Sequence, residues 1–574
     1  MSEAPLDARR SRLIGWPSRF APLAGLITIL VAIILFLPGL TALPPIDRDE
    51  ARFVQATKQM HESGDFVDIH FQSETRYKKP VGIYWLQAAA TAPFGGAEAP
   101  IWAYRIPSAV GAVLAVLATY LAGLSLFGRR AAFIGSLLMS ATILLGVEAR
   151  LAKTDAVLLA LTVFAQAIMA RAWMSGRGEA EESAGLTAPP SREPLSWPLA
   201  LAFWIALGAG ILVKGPVIVM VCGLTLISLM IGSRSFVPLL RLRPLPGLVA
   251  MLIVTLPWFV AITLLSDGAF FGDSVGHDLM AKVASGQESH GAPPGTYLGL
   301  FFATAWPLTP FALLALPMMI RQWRHPDIFF CLVWIVPAWL VFEAVPTKLP
   351  HYVLPLYPAF ALLAGAAMVR GAVVTRASLR IIIGLLAAAV PVFVAIGIVV
   401  LPLYLEKRLP AGADVAAVAA AVMGLLAARA LMRGRDERAV AASVLSAALL
   451  YVGAFQLAFP GLDAIRVSER AVAEAETVSS CPNPELAATG YTEPSLVFFG
   501  GTDVVLGSSE DVAKFLEEPG CRVGLVEARR DAEFHASVAA DGLTVVRRGE
   551  VSGYNYSRGR PVTVGIYETA PAAQ

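Results

Sequence analysis

Long apolar stretches alternate with short polar punctuation as far as residue 459, after which the composition becomes that of an ordinary soluble chain. Apolar windows long enough for the roughly 30 Å hydrocarbon core of a bilayer recur throughout the first part. Charged and Pro/Gly breaks divide them into about thirteen predicted membrane helices: 21–43, 101–126, 131–149, 154–174, 197–213, 215–233, 246–266, 297–320, 327–345, 352–369, 379–404, 412–432 and 438–459. The run 81–94 is apolar but too short to cross, and is expected to lie in the interface. Beyond residue 460, β-like runs (Leu496–Phe499, Val523–Val526, Val545–Val546, Val562–Tyr567) alternate with helical stretches at Ser509–Leu516 and Ala532–Ala540. The expected fold class is an α-helical polytopic membrane protein with interfacial amphipathic helices and a small C-terminal α/β domain. Its parts are a membrane unit over 1–459, with a first outward loop at 44–100 and a flexible outward loop at 267–296, and a soluble domain over 460–574.

Composition supports this reading. Of 574 residues 56% are hydrophobic and 15% charged, where a soluble protein carries roughly a quarter charged residues. The net charge of +2 gives no reason to expect nucleic acid. The first apolar run is long and ends at Leu43-Pro44-Pro45 rather than at a small-residue cleavage pattern, so no cleavable signal is expected.

The charges sort by side. Arg9, Arg10, Arg12 and Arg19 precede the first span, and every second loop thereafter is basic: Arg129-Arg130, Arg171 with Arg177, Arg234 with Arg241 and Arg243, Arg321 with Arg324, Arg370 with Arg376 and Arg380, then Arg429, Arg433, Arg435 and Arg438. The excess of arginine in short loops predicts a cytoplasmic N-terminus. The alternate loops and the C-terminal domain then face outward, into the periplasm of a bacterial inner membrane. Cys481 and Cys521 both fall in that domain and can pair on an oxidising face. Cys222 and Cys331 read as apolar fillers within spans.

The outward ends carry the candidate chemistry. Asp49-Glu50-Ala51-Arg52 opens an amphipathic helix with Phe53, Ala56 and Met60 on one face. Acidic residues at a helix start are favourable in themselves, so a capped helix is the plain alternative to a catalytic pair. A second helix is expected from about Lys79-Pro80, with Tyr84 and Trp85 at interface depth. Lys79, Lys214 and Lys348 lie at outward boundaries, where a lysine either snorkels or, in company, holds a phosphate. Asp155 adjoins a long apolar run and reads as functional unless Glu148 or Arg150 pairs with it. His277 and His290 in the 267–296 loop are candidate bases or metal ligands. HExxH, CxxC, Walker and GxSxG patterns are absent from the sequence, which leaves hydrolase and nucleotide-driven readings without a motif. A transporter is the rival from another class, but transporters place binding groups near the midplane in repeated halves. Here the polar groups gather at one mouth.

In order, Asp49-Glu50-Ala51-Arg52-Phe53, Gly64-Asp65-Phe66, Tyr77-Lys78-Lys79-Pro80…Tyr84-Trp85, Asp155, Val213-Lys214-Gly215 and Lys348-Leu349-Pro350-His351-Tyr352 resemble the membrane-embedded GT-C glycosyltransferases. The similarity is to the bacterial aminoarabinose transferases of lipid A and the protein O-mannosyltransferases, and covers about residues 20–370. It implies a sugar transferred from a polyprenyl-phosphate donor to lipid A, to the lipopolysaccharide core or to a protein. It also implies Asp49 as the catalytic carboxylate, with Glu50 and Asp155 completing the acidic set. Arg52, Lys79, Lys214, Lys348 and Tyr352 fall to the donor phosphate. Tyr84, His290 and His351 fall to the acceptor side and loop. It fixes no cofactor, and leaves open a divalent metal with His290 as ligand. The aminoarabinose transferases carry an acidic residue, implicated in metal binding, just before the Lys-Pro pair, where this chain has Lys78. That substitution suggests an acidic donor sugar, such as a uronic acid, as a hypothesis.

Overall fold

The computed structural model describes residues 21–175, 192–279 and 291–570. His290, Arg177 and the N-terminal arginines lie outside this description, as does the side chain of His277. Among the described residues nine helices are long and apolar enough to cross a bilayer, or ten if the bent pair Thr296–Thr304 and Leu308–Arg321 counts as one span. Two shorter apolar helices, Leu23–Phe36 and Val217–Ser233, accompany them. Each expected span therefore has a helical counterpart, as hydrocarbon demands, since a spanning backbone there must satisfy its own hydrogen bonds. The expected span at 131–149 is broken into Arg129–Ser140 and Ile143–Glu148. At the break Tyr451 donates its hydroxyl to the Ala141 and Thr142 carbonyls, both at 2.8 Å.

Small residues bring the helices together. Ile101–Leu126 packs along Asp155–Met174 with Gly111 so close that a Cβ would come within 2.9 Å of the Val157 nitrogen. Pro244–Leu265, by contrast, leaves Leu245, Ile253 and Leu264 mostly exposed, the signature of a face turned to lipid.

Helix Asp49–Ser63, in the loop after the first apolar helix, buries Phe53, Ala56 and Met60, the face its spacing predicts. A two-stranded hairpin, His70–Phe71 with Glu74–Thr75, follows, then helix Gly82–Thr91. Trp85 on that helix donates its indole N–H to the Phe66 carbonyl at 2.7 Å.

The C-terminal domain is a five-stranded mixed sheet. Its strand order in space is Val505–Gly507, Glu485–Thr489, Arg522–Glu527, Arg560–Thr569 and Val545–Asn555. The first three strands are parallel, and the last two join antiparallel. Cys481 and Cys521 form a disulfide beside two of these strands. One expected strand is a helix: Leu496–Phe499 lies within helix Pro494–Gly500. Pro494 starts that helix, Leu496 and Val497 face the domain core, and Phe498 packs edge-on against Tyr104 of the membrane unit at 6.3 Å. The domain sits on the loop that carries helix Asp49–Ser63. Gln55 donates to Thr502 at 2.8 Å, Thr502 donates to Glu62 at 2.7 Å, and the Ser495 amide donates to Asp47 at 3.0 Å.

Candidate active site

The turn before helix Asp49–Ser63 sends two neighbouring carboxylates to different tasks. Arg48 holds φ at +69°, a conformation costly for any residue but glycine. The C-terminal domain braces this turn: Tyr556 accepts from the Asp47 amide at 2.6 Å, and Arg48 donates to the Ser557 carbonyl. Beyond it Glu50 turns inward and is sealed from solvent. It takes two bonds from Arg105, at 2.8 and 3.0 Å, and accepts from the Ile46 and Ala152 amides. Expected in the catalytic set, Glu50 has both oxygens engaged and instead ties the turn to helix Ile101–Leu126 and to the turn at Ala152.

Asp49 faces outward into a cavity of about 340 Å³ lined by Arg52, Arg76, Lys78, Lys79, Lys153, Asp155, Lys214, His351 and Tyr352, among others. The surrounding mass would push its carboxyl up, but Lys153, His351 and Arg76 outweigh that burial and hold it below the ordinary range. Water nonetheless reaches the group through the cavity, so it is ionised and accessible. Lys214 ends helix Trp197–Lys214 and donates to Asp155, the first residue of helix Asp155–Met174, at 2.5 Å. Its ammonium lies 5.4 Å from the centre of the Tyr352 ring. Asp155 thus pairs with Lys214, not with Arg150. Arg150 donates instead to the carbonyls of Pro38, Gly146 and Leu35 and stacks on Tyr451 and Phe455.

Glu148, Asp155 and His351 place ligand atoms within 4.8 Å of one another. His351 lies between the two acids, at 3.7 Å from Glu148 and 3.8 Å from Asp155. The donor set does not fit a divalent ion, because Lys153 donates to Glu148 at 3.2 Å while Lys214 occupies Asp155. Glu148 Oε2 is left buried without a partner, but the positive charge those acids need is already supplied by the two ammonium groups.

Two expected residues lie elsewhere. Lys348 is not in the cavity wall; its ammonium donates to the Phe342, Glu343 and Val345 carbonyls, closing the C-terminal end of helix Pro326–Ala344. Tyr84 is fully buried behind Phe53, ring centres 5.5 Å apart, and does not line the cavity. Arg52, Lys79, Lys214 and Tyr352 do line it, together with His351. Arg76 and Arg105 were missed by sequence reading. Arg105 was detectable as a charge near the start of a long apolar run; Arg76, at a hairpin edge, carried no such signal.

Fold and mouth together define an integral membrane protein of the GT-C architecture. The family model described as dolichyl-phosphate-mannose-protein mannosyltransferase matches residues 23–264. The undecaprenyl phosphate-α-4-amino-4-deoxy-L-arabinose arabinosyl transferase 1 of Pseudomonas fluorescens is 27% identical over 330 residues, 56% of this chain and 53% of that protein. The enzyme of that class from Aeromonas hydrophila is 29% identical over 329 residues, 55% of each. The match spans about half the length of these curated relatives. Among solved structures, ArnT from Cupriavidus metallidurans superposes with a TM-score of 0.70 at 18% identity, covering 95% of this chain and 98% of that one. The same protein bound to undecaprenyl phosphate gives the same score. The chain is thus similar in its N-terminal part to the mannosyltransferase family model and to the aminoarabinose transferases, and shares its fold with ArnT.

Proposed function

We propose that this protein is a glycosyltransferase of the bacterial inner membrane. It takes a sugar from a polyprenyl-phosphate carrier and gives it to an acceptor on the periplasmic face, with lipid A or the lipopolysaccharide core the favoured acceptor. The N-terminus is cytoplasmic and the C-terminal domain periplasmic in this reading, on the arginine pattern. One observation carries the proposal: Asp49 shares a single cavity at the membrane mouth with Arg52, Lys79, Lys214 and Tyr352. A lipid phosphate entering from the hydrocarbon needs such cations. A hydroxyl acceptor needs a carboxylate in reach.

In the reaction the bond from the anomeric carbon to the carrier phosphate breaks as the acceptor oxygen bonds to that carbon. The acceptor proton passes to Asp49. The carrier leaves as a phosphate monoester whose growing charge Arg52, Lys79 and Lys214 stabilise, with Tyr352 beside them. Asp155 holds Lys214 in place rather than touching the sugar. Direct displacement inverts the anomeric centre.

The match to a protein mannosyltransferase model favours protein O-glycosylation as the second reading. Mass spectrometry of lipid A and core from a deletion strain, complemented with wild type or Asp49→Asn at matched membrane expression, tests both. A glycosyl mass lost on deletion and restored only by wild type supports the lipid reading and identifies the sugar. An unchanged lipid profile moves the acceptor to protein, and full rescue by Asp49→Asn removes Asp49 from the mechanism.

A further inference from the structure

Asp49 is aimed by residues from the far end of the chain. It follows Arg48, whose φ of +69° and ψ of −104° lie outside the left-handed helical basin as well as the ordinary regions. Glycine reaches such a conformation freely, whereas any other residue keeps it only where its surroundings enforce it. From the membrane unit the enforcement is Glu50, which accepts from the Ile46 amide at 2.7 Å while Arg105 grips it. The Ala51 amide adds a bond to the Ile46 carbonyl at 3.1 Å. These contacts fix the two flanks of the turn and leave Asp47 and Arg48 to be held from elsewhere.

The C-terminal domain holds them. The turn between strands Val545–Asn555 and Arg560–Thr569 presents Tyr556, whose hydroxyl accepts from the Asp47 amide at 2.6 Å, and Ser557, whose carbonyl takes the Arg48 guanidinium. A second piece of the domain holds the other end of Asp47: the Ser495 amide, in the first turn of helix Pro494–Gly500, donates to its carboxylate at 3.0 Å. The two pieces are fastened to each other. Asn555 donates its side-chain amide to Glu493 at 2.8 Å, both of them buried, and accepts from the Arg558 amide at 3.1 Å to shape the hairpin turn. Other bonds across the seam lie away from this turn. Gln55 and Glu62 meet Thr502 further along the helix, and Gln72 meets the Thr502 and Val504 carbonyls. Docking and aiming are thus carried by separate contacts.

We propose that Tyr556 is a positioning residue: the hairpin turn of the C-terminal domain holds the Arg48 turn in its strained conformation and so keeps the Asp49 carboxylate pointed into the cavity. This rests on the transferase reading above. The domain acts on the reaction through the backbone of another segment, without touching the sugar. Tyr556→Phe keeps the ring but leaves the Asp47 amide without its acceptor, which penalises the turn as it stands. A displacement of about 1 Å at a reacting group costs on the order of 100-fold in rate, so a partial relaxation should cost at least about 10-fold.

The test uses the purified full chain. Its probe is the polyprenyl-phosphate-linked sugar that accumulates in membranes of a deletion strain, its consumption followed by mass spectrometry with those membranes as acceptor. Tyr556→Phe is expected to lower kcat at least about 10-fold, with KM for the lipid-linked sugar within about 3-fold of wild type and the melting temperature within about 2 °C. Thr502→Val, which cuts side-chain bonds of the seam away from the turn, should keep kcat within about 2-fold. In the Tyr556→Phe background, Arg48→Gly and Arg48→Ala lose the same Ser557 contact and differ in backbone freedom, so the glycine variant should turn over at least about 3-fold faster. Wild-type kcat in Tyr556→Phe overturns the proposal, as does a rise in KM in place of the fall in kcat. An equal loss in Thr502→Val, or equal rates in the two double variants, overturns it as well. Wild type that consumes no lipid-linked sugar removes the transferase reading, and hydrogen exchange at the Asp47 and Ala51 amides then decides the brace. Exchange at least about 10-fold faster in Tyr556→Phe keeps it, and unchanged exchange overturns it.

Discussion

Glu50 and Arg105 form a two-bonded ion pair, sealed from solvent, directly beneath the carboxylate that faces the cavity. Arg105 spends its remaining donors on the Leu40, Leu43 and Pro44 carbonyls, so the pair fastens the end of the first span to the start of the Asp49 helix. Removing one partner of such a pair leaves a buried charge uncompensated, at a cost of about 3–5 kcal/mol. Glu50→Gln is therefore expected to lower the thermal stability of the purified protein and its yield together with its activity. Asp49→Asn should melt like wild type while losing at least about 100-fold in transfer rate, the low end of what a general base contributes. Thermal-shift curves beside transfer assays separate the two. Wild-type stability in Glu50→Gln would refute the structural assignment.

What could be read before the structure follows from how local each signal is. The bilayer forces long apolar helices, so the spans and the arginine asymmetry were visible residue by residue. Glu50 and Arg105 are 55 positions apart, and nothing in either neighbourhood announces the other. Lys348 misled for a different reason: a boundary lysine looks the same whether it meets a lipid phosphate or three carbonyls of its own turn. Leu496–Phe499 was ambiguous because a four-residue apolar run has no period long enough to distinguish strand from helix. Glu493-Pro494 was the available cue.

Lys348 and Lys214 make the second comparison. Lys348→Met should release three carbonyls at a helix end and cost about 1–2 kcal/mol of stability without changing donor affinity. Lys214→Met removes a cation from the cavity wall and should weaken undecaprenyl phosphate binding by about 10-fold or more. Titrating both variants with undecaprenyl phosphate reads the difference directly. Equal losses of affinity would return Lys348 to the donor site.

Docking of the C-terminal domain should depend on pH through Asp47. Burial in the seam raises its carboxyl from 3.8 to about 6, and Glu493 adds to that while hydrogen bonds from Ser495 and with Tyr556 oppose it. The other groups facing it are Tyr491, whose own hydroxyl is pushed up by burial, and the Arg48 backbone turn. A folded value above the unfolded one means that the docked state binds more protons. Docking is then strongest below about pH 4, weakens as pH rises, and reaches its floor above about pH 6. Asp47→Asn keeps an acceptor for the Ser495 amide and removes the charge. It should strengthen docking near neutral pH by about 1–2 kcal/mol and flatten the dependence. Hydrogen exchange at the Asp47 and Ser495 amides, corrected for intrinsic rates, is the readout. Unchanged protection between acid and neutral pH in the wild type would refute it.

The last prediction concerns metal. Glu148, Asp155 and His351 are spaced as ligands, and a divalent ion there would be an obvious guess from distances alone. The ammonium groups of Lys153 and Lys214 argue otherwise, because each already sits on one of the two carboxylates. At an effective dielectric of about 20, a divalent ion about 4 Å from one ammonium is repelled by about 8 kcal/mol, twice the figure for two unit charges. Two ammonium groups double that repulsion, which offsets the attraction of the two carboxylates, and each carboxylate already holds one ammonium although Glu148 Oε2 is left without a partner. Lys78 in the same cavity wall further raises the positive charge of the mouth. Treatment with a strong chelator, followed by desalting into metal-free buffer, should leave transfer activity and thermal stability within about 2-fold and a degree or two of the untreated protein. Loss of activity on chelation, restored by one divalent ion and not by others, would overturn this and make the two lysines labile occupants of a metal site.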